Sequence, residues 1–119
     1  MKRKAVGELG EKMAKEYLQK KGYHIIETNF RCREGEIDII AQDKDYLVFV
    51  EVRTRKGSGY GTPEESITTA KKEKLTSLAF AYLQTHRKSP SLWRFDVVAI
   101  ELNRDEQVSR IELIQDAIN

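Results

Sequence analysis

The sequence predicts an α/β sandwich, a mixed central sheet flanked by helices in the order αβββαββ. Three observations predict it. Two segments carry apolar residues at spacings of three and four, the repeat of an amphipathic helix. Short runs rich in β-branched and aromatic residues lie between and after those segments, bounded by Gly, Asn, Asp, Ser and Pro. Helices at both ends of a strand cluster are most simply accommodated by a sheet covered on its two faces.

The first helix spans Val6 to Lys21, with Val6, Leu9, Met13, Ala14, Tyr17 and Leu18 on its apolar stripe and Gly22 at the stop position. Tyr23 to Thr28 reads as a strand and Asn29 to Gly35, polar and basic, as a loop. Glu36 to Ala41 and Tyr46 to Arg53 form a hairpin around the polar tetrapeptide Gln42-Asp43-Lys44-Asp45. Thr54 to Gly61, with Gly57, Gly59 and Gly61, reads as a flexible loop, and its glycine spacing is not a phosphate-binding fingerprint. Thr62-Pro63-Glu64-Glu65 has the form of a capping box with proline at the first helical position. Thr68 offers a second start for the helix that carries Ile67, Ala70, Leu75, Leu78, Ala79, Tyr82 and Leu83 and ends near His86. Ser89-Pro90-Ser91 is a turn, Trp93 to Glu101 a strand, Asn103 to Gln107 a turn and Arg110 to Ile114 a last short strand. The long helix between the hairpin and Trp93 suits a parallel crossover.

The 119 residues fit one domain, residues 1–119. With 39% hydrophobic and 34% charged residues, the chain is globular with a well-charged surface. A net charge of +2 says little about partners, but basic residues cluster at Lys2-Arg3-Lys4, Arg31 and Arg33, Arg53-Arg55-Lys56, Lys71-Lys72-Lys74 and Arg87-Lys88. Cys32 is the sole cysteine, which rules out an intrachain disulfide and a cysteine-built zinc site and suits a reducing compartment. The basic start lacks an apolar segment behind it, and no run approaches the ~20 apolar residues of a membrane span. A cytoplasmic location is expected.

The candidate chemistry lies in the hairpin. Glu36 and Asp38 stand within its first strand and Glu51 and Arg53 within its second, among residues that should be buried. Ionised groups there are costly unless paired or bound to a metal. Strand alternation puts Glu36 and Asp38 on one face, and Phe49, Glu51 and Arg53 on one face of the next strand, opposite Ile37, Ile39, Ala41 and Val48, Val50, Val52. A symmetric loop pairing Ala41 with Tyr46 sets Asp38 opposite Phe49 and Glu36 opposite Glu51, so that Asp38 and Glu51 are diagonal neighbours about 7 Å apart. Two carboxylates so placed suit one Mg²⁺. Arg53, two residues on, is placed to reach a phosphate oxygen. Glu11 borders the apolar stripe of the first helix, with Glu8 one turn earlier, and either has a path to the sheet. For each residue singly, a solvated surface charge is the plainer account. Neither His24 nor His86 has the setting of a catalytic group, and Cys32 and the serines have no evident histidine partner.

Taken in order, a helix glutamate, Gly35-Glu36-Ile37-Asp38 and Phe49-Val50-Glu51-Val52-Arg53 resemble the PD-(D/E)xK nuclease superfamily, which includes restriction endonucleases and archaeal Holliday-junction resolvases. The chain most resembles the YraN-like family of predicted bacterial endonucleases. Gly7, Gly10-Glu11, Ala14, Leu18, Asn29-Phe30-Arg31, Lys71 and Arg94-Phe95-Asp96 extend that resemblance over nearly the whole length. The resemblance implies a restriction-endonuclease-like sheet and a Mg²⁺- or Mn²⁺-dependent endonuclease that hydrolyses phosphodiester bonds in DNA, structured or branched DNA included. It implies Asp38 and Glu51 as metal ligands, Glu11 as an indirect ligand or orienting group, and Glu36 as an auxiliary carboxylate. The superfamily's lysine falls at Arg53, and an arginine cannot serve as a general base. Lys71 is the candidate for the missing ammonium. Arg31, Arg55, Lys56 and Lys71 would bind the nucleic-acid backbone. By analogy with resolvases, a homodimer would fit, and the sequence leaves the oligomeric state open. Two other readings stay open: a nucleic-acid-binding module on a nuclease fold with little or no catalysis, and an interaction protein whose charged face is a docking surface.

Overall fold

A computed structural model describes residues 3–57, 61–86 and 91–118. Its elements are α1 (Arg3–Lys20), β1 (His24–Cys32), β2 (Gly35–Asp43), β3 (Tyr46–Lys56), a 3-10 turn (Glu64–Ser66), α2 (Thr69–Thr85), β4 (Leu92–Leu102) and β5 (Val108–Ile114). The order is the expected αβββαββ. The sheet runs β1-β2-β3-β4-β5, antiparallel throughout except for the parallel pair β3/β4. That pair requires a long connection, and α2 lies within it. The expected mixed α/β architecture, restriction-endonuclease-like in its order of elements, is the one found.

Each helix covers one face. Ala14 and Leu18 of α1 pack on Ile39, Ala41, Val48, Val50, Val98 and Ile100. Leu75, Leu78, Ala79 and Tyr82 of α2 pack on Ile37, Ile40, Leu47, Phe49, Phe95 and Val97. Gly22 ends α1 at a φ of 94°, where the Tyr23 N–H donates to the Leu18 carbonyl at 3.0 Å in a Schellman-type closure.

Four sequence expectations are corrected. Most of Asn29 to Gly35 is strand: β1 runs to Cys32 and only Arg33 and Glu34 turn. An edge strand tolerates polar residues on its solvent side, and Phe30 supplies the apolar anchor, edge-on to Tyr82 at 5.1 Å. The start of the Thr54–Gly61 loop is likewise strand, because β3 stays paired with β4 as far as Lys56↔Leu102. The capping box at Thr62 does not open the long helix. Glu65 accepts from the Thr62 N–H and hydroxyl at 3.2 and 2.8 Å, but Ile67 is extended and ends the turn. α2 starts at the second candidate, where Thr68 caps the Lys71 N–H at 3.1 Å. Finally, the hairpin register pairs Asp43 with Tyr46 and Ala41 with Val48, two residues away from the expected pairing. Lys44, at a φ of 55°, makes the tight turn that sets it. Lys2, residues 58–60 (Gly59 among them) and residues 87–90, which include Arg87, Lys88 and the Ser89-Pro90 turn, lie outside the described residues. Among the described residues no helix is long and apolar enough to cross a membrane.

α1 meets β3 at Gly10. A Cβ there would lie 1.8 Å from the Thr54 Oγ1 and 2.9 Å from its Cβ, so only glycine permits this approach. Gly10→Ala is expected to cost about 1–3 kcal/mol, the usual range for overpacking. The loss should be smaller on a Thr54→Gly background, because neighbouring sites are not additive. Urea unfolding of the four proteins in the cycle measures the coupling. Equal losses on both backgrounds would contradict the contact.

Candidate active site

The site forms where β2 and β3 part. Their ladder stops at Ile39↔Val50, and one more step would set Asp38 opposite Glu51. Instead of continuing the ladder, the Asp38 Oδ2 accepts the Val52 N–H at 2.8 Å. Side-chain alternation slips at the same place. Ile37 and Ile39 have the same parity, yet Ile37 packs on the α2 side and Ile39 on the α1 side. Asp38 therefore sits in the slip, between the helix faces. This corrects the expectation that Ile37, Ile39 and Ala41 share a face.

Two groups of charge converge on Asp38. On one side is Glu51, only 5% exposed, whose carboxylate acts on that of Asp38. Burial, the hydrogen bond to Glu51 and the Glu51 charge together push the Asp38 carboxyl up to about 9. Two carboxylates in contact in a dry setting cannot both remain ionised without a cation. The Glu51 Oε2 in turn faces the Arg53 Nη2 and the Lys71 Nζ, each at 3.4 Å. Lys71 stands in the first turn of α2, so this ammonium reaches the site from a different element than Arg53. The Arg53 Nε is buried and has no hydrogen-bond partner.

On the other side, one oxygen from each of Glu11, Glu36 and Asp38 lies within 4.8 Å of the other two. The Asn29 Nδ2 bridges two of these residues, donating to the Glu36 Oε1 at 2.7 Å and the Glu11 Oε2 at 3.2 Å. The Arg31 Nε pairs with the Glu36 Oε2 at 3.0 Å, although the Arg31 side chain is 76% exposed. Hard oxygen donors at this density suit Mg²⁺ or Mn²⁺. The triplet is Glu11, Glu36 and Asp38, whereas the sequence paired Asp38 with Glu51. Glu51 stands on the opposite side of Asp38, engaged by the two cations.

Arg55 and Lys56 lie further along β3. With Arg53, Glu11 and Asp38 they line a groove of about 750 Å³ whose other walls include Pro63 and Ser66. Arg55 donates to the Gly61 carbonyl at 3.4 Å and Lys56 pairs with Glu106 at 3.1 Å. The Pro63–Ser66 wall is tied to β5 by Arg110, which clasps both Glu64 oxygens at 3.0 and 2.7 Å and holds the Glu64 carboxyl down at about 2.

Sequence reasoning placed Asn29 in a loop and gave it no part in the site. Its signal lay in its residue type: Asn29 has a φ of 54°, a conformation asparagine adopts more readily than most residues. That conformation accompanies an amide directed at Glu11 and Glu36.

Residues 10–100 match the model of the uncharacterised protein family UPF0102. The chain belongs to this family. It is the YraN-like family that the sequence resembles. A UPF0102 protein of Dehalococcoides mccartyi is 51% identical over 98% of this chain and 94% of its own length. Another, from Pelotomaculum thermopropionicum, is 47% identical over 97% and 96%. A third, from Symbiobacterium thermophilum, is 51% identical over 96% of each chain. The UPF0102 match includes Gly10, Glu11, Asn29, Glu36, Asp38, Glu51, Arg53 and Lys71, so the whole site lies within the matched region.

Proposed function

We propose that this UPF0102 protein is a Mg²⁺- or Mn²⁺-dependent endonuclease that hydrolyses phosphodiester bonds in DNA, with structured or branched DNA among its substrates. The observation that carries this reading is the carboxylate set around Asp38. Glu11, Glu36 and Asp38 offer oxygens within 4.8 Å of one another, and the Glu51 charge acts on Asp38. Burial and the neighbouring Glu51 disfavour an ionised Asp38, and a divalent cation would take the place of its proton. Asp38, Glu36 and Glu11 would hold the cation, with Glu51 adjacent through Asp38. When bound, the cation would acidify a water and offset charge on the phosphate.

The remaining roles belong to the protein's own groups. Glu51 holds Lys71 and Arg53 together, two positive charges beside the carboxylates. Both would stabilise charge developing on a phosphoryl oxygen. Lys71 supplies the ammonium that position 53 lacks. Asn29 and Arg31 fix the rotamers of Glu11 and Glu36. Arg55 and Lys56 would bind the backbone along the groove, with affinity that falls as salt rises.

The test is cleavage of branched, single-stranded and duplex DNA in Mg²⁺, Mn²⁺ and chelator. Lys71→Ala is expected to lower the rate about 10²–10³-fold, as loss of one charge-stabilising donor does. Activity in chelator, or full activity in both Asp38→Asn and Glu51→Gln, would refute the proposal. A second reading, DNA binding with little catalysis, draws on Arg53 itself, since a guanidinium replaces the lysine expected at this position. Metal-dependent binding without cleavage of any of the three substrates would favour it.

A further inference from the structure

The carboxylates are the floor of a saddle. The groove on the β3 side, with Arg53, Arg55 and Lys56, ends at Glu11 and Asp38. A second depression of about 270 Å³ begins at the same two residues and opens over β1 and β2, past Thr28 and Asn29. Among the described residues, Glu11 and Asp38 are the ones that line both. On the second side the basic wall is Lys12 and Lys15 of α1. They are exposed and three residues apart, hence on one helix face. Among the described residues neither is held in an ion pair, although Glu8 and Glu11 share the depression with them.

We infer that Lys12 and Lys15 form a second backbone site, so that a nucleic-acid strand crosses the carboxylates and is held by its phosphates on both sides. The inference rests on the proposed phosphodiester chemistry and specifies its substrate. A strand passes through the site instead of ending in it, so the reacting linkage is internal and a closed circle is as good a substrate as a linear strand. The charge pattern is what a polyanion with a reacting centre requires. Cations flank a short carboxylate stretch on both sides. Arg55 and Lys56 take one flank and Lys12 and Lys15 the other.

Binding is measured by fluorescence anisotropy of a labelled single-stranded oligonucleotide in Mg²⁺, with Glu51→Gln in every protein to slow cleavage. Lys12→Ala/Lys15→Ala is compared with Lys20→Ala/Lys21→Ala, the last residue of α1 and the one after it, which lie outside both depressions. Alanine preserves helix propensity, and matching thermal midpoints establish that both doubles are folded. The first double should lower the slope of log K against log salt by about 1.4, two contacts at ~0.7 each for single strands. The control should match the parent. Equal slopes and affinities for the two doubles overturn the two-sided path while leaving the nuclease reading intact. If the parent itself does not bind the oligonucleotide, the nucleic-acid reading fails and this inference fails with it. Wild-type protein should cut circular single-stranded DNA at a rate within about twofold of linear. Cleavage confined to free ends would also overturn the two-sided path.

Discussion

Asp38→Asn raises the thermal stability of the chelator-treated protein at pH 8 while lowering its Mg²⁺-dependent cleavage at least about 10²–10³-fold. The two effects have one origin. Asp38 is pushed up to about 9 by burial and by Glu51, so the folded protein retains a proton there that the unfolded chain releases near the ordinary aspartate value. The sign follows from proton uptake. Between about pH 4 and 9 the native state binds more protons than the unfolded state at this group, so stability falls as pH rises. The contribution is fully present below the unfolded pKa and is lost as pH passes through about 9. An asparagine keeps an oxygen for the Val52 N–H, gains an amide donor for Glu51 and has no titration. Its stability should therefore exceed that of the wild type by a margin that widens from pH 5 to pH 9. Calorimetric scans in chelator across that range measure the margin. Adding Mg²⁺ should raise the wild-type midpoint as ligand binding to a native state does, and leave the variant unmoved. A variant less stable than wild type by the same amount at every pH would exclude the coupled Asp38–Glu51 pair.

Asp96→Ala should be the most destabilising single substitution among those considered, at about 3–5 kcal/mol, as for a broken buried ion pair. Asp96 is 0% exposed and accepts from four donors. They are the Tyr23 hydroxyl at 2.6 Å, the Arg94 Nε at 2.9 Å, the Asp116 N–H at 3.0 Å and the Arg94 Nη2 at 3.2 Å. Arg94 also reaches Asp43 at 2.8 Å and lies over the Tyr46 ring. Removing the carboxylate leaves Arg94 with one acid partner and Tyr23 with a buried hydroxyl whose strongest acceptor is gone. Burial and the hydrogen bond to Asp96 push that phenol up to about 12, so it stays a donor across the working range. Tyr23→Phe, which removes one hydrogen bond to a charged group, should cost less, about 1.5–3 kcal/mol. Denaturant titration of both variants checks the ranking. A loss under about 1 kcal/mol for Asp96→Ala would mean that the network contributes little net stability.

Asp38 and Asp96 show how one residue type serves opposite ends. Asp96 is surrounded by donors and positive charge, so its burial is resolved within the fold. Asp38 is surrounded by other acids, and the fold leaves it dependent on a proton or a cation. Sequence patterning alone treats the two much alike, as acids inside apolar strands.

Much of the architecture was legible in the sequence. Period-3.6 apolar stripes marked both helices, and β-branched runs marked the strands, because burial of one face requires those repeats. Charges inside the hairpin singled out Glu36, Asp38, Glu51 and Arg53 for the same reason: a carboxylate in an apolar strand needs an explanation. The edge strand β1 was less legible, since its solvent side admits the polar residues of a loop.

The sequence by itself determined which residues face inward and that acidic groups are among them. Only the tertiary structure decided how they meet. A one-residue slip in register would turn every side chain over, whereas a two-residue slip preserves both faces, so patterning cannot distinguish the expected pairing of Ala41 with Tyr46 from the observed pairing of Ala41 with Val48. The turn at Lys44 makes that choice. The parting of β2 from β3, the arrival of Lys71 from α2 and of Glu11 from α1, and the Asn29 bridge are all contacts between segments distant in the chain. They depend on how helices seat on the sheet, to which Gly10 contributes by letting α1 close on Thr54. Local propensity carries no record of such distances, and it is these distances that turn separate acids into one site.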